Sequence, residues 1–166
     1  LLVAGNETTT TGIVTALWLL LTKPELRRAT KADPSRIPSF VEEVLRSHSP
    51  VPHMWRVATQ ASRIGDTDIP EGAVLMLSYL AGNRDPKQWA CPHEVQIGRQ
   101  GVRNHLAFGR GIHFCIGNQL GRGEMRIAIR RILERLPALR LSPDHPEPQF
   151  IPHFAIHALD HLNVLF

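Results

Sequence analysis

Hydrophobic and polar positions along the chain predict helices towards both ends and a β-textured middle. Residues 1–22 are rich in helix formers after a threonine run, and residues 13–21 are almost wholly apolar, which predicts a largely buried helix ending before Lys23-Pro24. Residues 24–30 suit a short helix. Residues 35–48 place Phe40, Val41, Val44 and Leu45 on one face, with Pro38 near the start and Pro50 just beyond the end, so they predict an amphipathic helix. From 51 to 80 the texture changes to β-type runs at 55–59 and 73–80, divided by Gly65-Asp66 and Pro70-Glu71-Gly72 turn signals. Residues 81–102 lack a period and form an irregular connection. A glycine-studded loop spans 105–117, and a second amphipathic helix spans 118–136, stopped by Pro137. The tail, with Pro143, Pro146, Pro148 and Pro152, suggests a turn and one or two edge strands.

Length and composition narrow the class. The 166 residues suffice for one domain, residues 1–166, and 43% hydrophobic with 20% charged residues excludes disordered and fibrous chains. Two cysteines, Cys91 and Cys115, make no disulfide framework and fit a reducing compartment. The apolar run 13–21 is short of the roughly 20 residues that a membrane span needs. Nothing resembles a signal peptide, and a start at Leu1 reads as cut, so the expected location is the cytoplasm. Net charge is +4, but only three of the 19 basic residues are Lys and no base-stacking platform is visible, which argues against a nucleic-acid partner. The charge is local instead. Eight arginines (99, 103, 110, 122, 126, 130, 131, 135) face only Glu124 and Glu134 between residues 99 and 135, which predicts a strongly positive face.

Chemistry concentrates in Phe108-Gly109-Arg110-Gly111-Ile112-His113-Phe114-Cys115-Ile116-Gly117. Cys115 stands at the threshold of a helix, where backbone amides and the helix dipole favour a thiolate over a thiol. Gly109, Gly111 and Gly117 remove side chains where a large flat ligand would have to approach the backbone. A thiolate held this way suits haem iron. Other readings are a buried structural thiol, or zinc gathered by Cys91, His93, His113 and Cys115. Those spacings match no common zinc module.

The loop matches at every fixed position the haem-binding signature F-G-x-G-x-H-x-C-x-G, and the sequence resembles the C-terminal part of a cytochrome P-450, a haem-thiolate monooxygenase of the soluble bacterial type. That resemblance implies a mainly α fold with small β-sheets, comprising helices I, K and L and the haem-binding loop. It also implies haem b (iron protoporphyrin IX) as cofactor, with Cys115 as the axial iron ligand, Phe108 near the sulfur and His113 reaching a propionate. Three further segments resemble the family in order. Glu43-Val44-Leu45-Arg46 is similar to E-x-x-R of helix K, and Arg99 resembles the third member of a buried structural triad. Arg56, in S-P-V-P-H-M-W-R-V-A-T, aligns with a strand arginine that binds a propionate. Ala4-Gly5-Asn6-Glu7-Thr8 is similar to A-G-x-[DE]-T of helix I. There Thr8 would hydrogen-bond dioxygen or its water, Glu7 would help relay protons, and Gly5 would let the helix approach and deform.

Departures stand beside the matches. Val95 and Gln96 replace the Phe-Asp common in the family before the position of Arg99, and residues 156–164 only loosely resemble the family's end. A complete family member is more than twice as long, so an N-terminal segment is expected to close over the substrate. The resemblance implies insertion of one oxygen atom from O2 into a small apolar substrate. Electrons would come from an acidic ferredoxin- or flavodoxin-type protein docking on the arginine-rich face. A noncatalytic or degenerate truncated haem-binding protein is the competing class. A peroxygenase or isomerase is disfavoured by the intact Glu7-Thr8 pair.

Overall fold

The computed structural model describes residues 2–166, with side chains described from Ala4 onward. In chain order come α1 (Leu2–Thr22), α2 (Pro24–Ala32), α3 (Ile37–Ser47), β1 (His53–Val57), β2 (Ser62–Ile64), β3 (Thr67–Ile69), β4 (Val74–Ser78), α4 (Tyr79–Gly82), α5 (Asn118–Arg135), β5 (Arg140–Leu141) and β6 (Val164–Leu165). The strands form antiparallel pairs β1–β4, β2–β3 and β5–β6. In the first, His53 faces Ser78 and Val57 faces Val74. Among the described residues no helix is long and apolar enough to cross a membrane.

The core lies where α1, α2, α3 and α5 meet. It combines Ala16, Leu19 and Leu20 of α1 with Phe40, Val41 and Val44 of α3 and Met125, Ile129 and Leu133 of α5. Phe40, Val41 and Val44 are wholly buried, and truncating a buried aromatic such as Phe40 to alanine costs about 3–5 kcal/mol. Helices α1 and α5 pack closely because Gly12 has no side chain. A Cβ there would stand 3.0 Å from Cε and Sδ of Met125.

Two expectations need correction. The helix expected over 35–48 starts as a 3-10 turn, Pro34–Arg36, capped by Asp33, whose Oδ1 accepts from the Ser35 amide at 3.0 Å; the α-helix begins only at Ile37. The strand expected through residue 80 stops at Ser78, where extended backbone and a hydroxyl accepting from the Ala81 amide at 3.4 Å cap a short helix. Tyr79 and Leu80 are thereby turned out of the ladder. The Gly65-Asp66 turn joins a hairpin, β2–β3, inside the stretch between the two expected strands.

The irregular connection is held by side chains from α3. Glu43 and Arg46 are wholly buried. Arg46 Nε donates to Glu43 Oε1 at 2.7 Å, and Arg99 Nε donates to the same oxygen at 2.9 Å. Arg46 Nη2 donates to Glu43 Oε2 at 3.1 Å, and the other guanidinium bonds end on the carbonyls of Asn83 and Pro92, at 2.8 and 2.9 Å, and of Glu94 at 2.8 Å. Glu43 Oε2 also accepts from the Gln96 amide at 2.8 Å. A backbone N–H does this, so the replacement of Phe-Asp by Val95-Gln96 leaves the carboxylate satisfied. The segment has little regular structure of its own, and these bonds satisfy backbone groups that would otherwise be buried without partners.

Removing one partner of a buried pair strands the other charge, so Arg46→Ala is expected to destabilise by about 3–5 kcal/mol. Thermal unfolding of the intact protein checks this; a melting temperature within a degree or two of wild type would contradict it.

Candidate functional site

The glycine-rich loop runs from His105 into the start of α5 and presents Cys115 to an open cavity of about 370 Å³. Its shape is set by backbone bonds. The Cys115 amide donates to the Phe108 carbonyl at 2.9 Å, and the Cys115 carbonyl accepts from Asn118 Nδ2 at 2.8 Å. Gly109 is buried at φ +69°, a conformation that side chains disfavour, and a Cβ there would stand 3.3 Å from the Tyr79 hydroxyl. Gly111 opens a 3-10 turn, Gly111–His113, and Gly117 lies against the sulfur, where a Cβ would come 4.0 Å from Cys115 Sγ.

Around this one cavity the fold gathers Thr8, Arg56, Phe108, Gly109, His113 and Cys115, contributed by α1, β1 and the loop. The rest of the wall is largely apolar, including Leu45, Val51 and Met125. Arg56 Nη1 donates to its neighbour's carbonyl, Trp55 O, at 2.7 Å. The Thr8 hydroxyl donates to the Ala4 carbonyl at 2.6 Å. Gly5, Glu7, Gly111 and Gly117 do not line the cavity. Glu7 is exposed on α1. The helix runs through Gly5 unbroken, and a Cβ there would meet no atom within 4 Å. Thr9 and Tyr79 line the cavity without having been singled out in the sequence.

A second buried carboxylate, Glu42, was also missed. It stands beside Glu43 on α3, is 2% exposed, and faces the opposite cluster of cations. Arg122 Nε reaches its two oxygens at 2.8 and 3.1 Å, Arg126 Nη2 donates at 3.2 Å, and His105 Nε2 lies 3.1 Å away. Arg103 adds a looser approach at 3.8 Å. Burial opposes ionisation of Glu42, but hydrogen bonds from His105 and Arg122, reinforced by the Arg122 charge, prevail and hold its pKa at about 2. Two adjacent acids inside an otherwise apolar helix face, together with the arginine surplus downstream, were the available signal.

These contacts correct the expected positive face. Arg99 is turned inward onto Glu43, Arg122 and Arg126 onto Glu42, and Arg130 and Arg131 pair with Glu134 at 3.3 and 3.1 Å. Arg122 is buried and therefore has no surface to offer a docking partner. Arg110, exposed and donating to the Asn104 carbonyl at 2.8 Å, remains on the outside.

A thiol opens on a largely apolar cavity that an arginine and a histidine also line. The sequence pattern of the Cytochrome P450 family matches residues 37–161, and the chain belongs to that family. It is 38% identical over 164 residues to 6-deoxyerythronolide B hydroxylase of Saccharopolyspora erythraea, covering 99% of this chain and 40% of that protein. To cytochrome P450 105C1 of a Streptomyces species it is 41% identical over 165 residues, covering 99% of this chain and 43% of the relative. Substrate-free CYP150A6 of Mycobacterium marinum superposes with a TM-score of 0.94 at 36% identity, covering 98% of this chain and 41% of that one. P450BioI, in complex with an acyl carrier protein ligated to hexadec-9Z-enoic acid, superposes at 0.93 with 37% identity, covering 99% and 42%. The chain thus spans about two fifths of the length of these relatives.

Proteins of the family bind haem b. The residues present fit that group: a sulfur donor opens on the cavity, apolar side chains suit the porphyrin faces, and Arg56 with His113 can meet carboxylates.

Because the Glu42 pKa lies below the ordinary value of 4.5, its contribution to stability is complete above about pH 4.5 and is lost as pH falls towards about 2. Unfolding free energy measured across that window should fall more steeply for wild type than for Glu42→Gln. Parallel curves would refute the assignment.

Proposed function

We propose that this chain forms the haem-thiolate portion of a monooxygenase that hydroxylates a small apolar organic substrate with O2. Cys115 would hold the iron of haem b and is the proposed metal-binding residue. The observation that carries the reading is the convergence of Cys115, Arg56, His113 and Thr8 on one cavity with largely apolar walls. When bound, haem supplies dioxygen activation, with electron donation from the thiolate. Arg56 and His113 would hold the propionates, Phe108 would pack beside the sulfur, and Gly109, Gly111 and Gly117 would allow the loop a close approach to the group.

On the α1 side of the cavity Thr8 holds a proton on its hydroxyl, now directed to the Ala4 carbonyl at 2.6 Å. Turning that hydroxyl into the cavity lets it donate there, and exposed Glu7 on the same helix supplies protons from solvent. The apolar lining excludes water and favours an apolar substrate. A segment outside these residues completes the substrate chamber, since the relatives are more than twice as long.

Electrons come from a ferredoxin- or flavodoxin-type protein. Support for an acidic donor is narrower than the arginine count suggested and rests on exposed positions such as Arg110 and Arg103.

Cys115→Ala is expected to abolish the thiolate-type carbon monoxide difference spectrum of the reduced, haem-loaded protein. Retention of that spectrum would overturn the ligand assignment. Thr8→Ala is expected to keep that spectrum while lowering product formed per electron consumed by about 100-fold, the lower end of one general-acid contribution. Unchanged coupling of electrons to product would remove Thr8 from proton handling.

A further inference from the structure

Glu42 is tied to both ends of the loop that carries Cys115. At the loop's beginning, His105 Nε2 lies 3.1 Å from Glu42 Oε2, and His105 Nδ1 accepts from the Ala107 amide at 3.2 Å. At its end, Arg122 bonds both Glu42 oxygens and donates to Asn118 Oδ1 at 2.9 Å, while Asn118 Nδ2 holds the Cys115 carbonyl. Between the two, Arg122 Cζ sits 4.3 Å from the centroid of the Phe108 ring, and the Phe108 carbonyl accepts from the Cys115 amide at 2.9 Å. One buried acid therefore fixes the guanidinium that lies over the aromatic ring of the sulfur loop and also neutralises its charge. A cation over a ring face is held electrostatically, and more strongly where water is excluded.

We infer that Glu42, acting through Arg122 and Phe108, is a positioning residue that sets the charge balance beside the Cys115 sulfur and so the reduction potential of the iron it holds. This rests on the reading of Cys115 as the iron's ligand. With Glu42 ionised, Arg122 is paired and the sulfur loop feels little net charge from it. With Glu42 neutral, the buried cation is uncompensated. An uncompensated cation near the site favours the reduced, more negative state.

The test is the ferric/ferrous potential of the intact haem-loaded protein, with the carbon monoxide difference spectrum recorded beside it. Glu42→Gln is expected to shift the reduction equilibrium at least threefold towards ferrous, about 28 mV for one electron on the scale of about 59 mV per tenfold. Removing both charges, Glu42→Gln with Arg122→Gln, should return the potential to within threefold of wild type. A merely structural role would not produce that return. Glu134→Gln, on the exposed end of α5, should leave it unchanged.

A Glu42→Gln potential within threefold of wild type overturns the inference, as does a double variant that stays shifted. If Glu42→Gln alone takes up no haem, the double variant decides. Haem uptake with a wild-type potential supports charge balance, and failure to take up haem overturns it. Cys115→Ala separates the two readings. If that variant keeps the thiolate-type spectrum, the ligand assignment fails whatever Glu42 does. If it loses the spectrum and the Glu42 variants show no shift, only the present inference fails.

Discussion

Two neighbouring carboxylates buried in the middle of α3 are the constraint around which the rest is arranged. Neither Glu42 nor Glu43 has meaningful exposure, and a buried unpaired carboxylate is costly enough that a fold must bring cations to it. Glu43 recruits Arg46 and Arg99 and thereby the irregular segment before the loop. Glu42 recruits His105 and Arg122, and with them the two ends of the loop that holds Cys115. Side by side, the acids join the scaffold to the site without any regular hydrogen-bond ladder between them.

This arrangement explains how a loop with three glycines can hold a sulfur in a defined place. The loop contributes only a short 3-10 turn of regular structure. Its rigidity comes from outside, from the Tyr79 hydroxyl against Gly109, from Asn118 on the Cys115 carbonyl and from Arg122 over Phe108.

Much of this was legible beforehand. The helices at 1–22 and 118–136 were readable from apolar period and proline stops, and the loop from its glycines and cysteine, because those signals are local. The strand end at Ser78 was not, since Tyr79 and Leu80 have strand-like side chains and only the serine cap turns them into a helix. The arginine surplus was visible but its destination was not. Charges counted along a sequence look exposed, whereas here Arg99, Arg122 and Arg126 end on acids more than fifty residues away. Glu42 was harder to read for the same reason: the adjacent acids on an apolar helix face mark the position, but its partners are distant in the chain.

The proposed function depends on a bond between iron and the Cys115 sulfur. X-ray absorption at the iron edge of the haem-loaded protein tests it most directly. The predicted result is one sulfur in the metal's first coordination shell; a shell containing only nitrogen and oxygen would contradict the account.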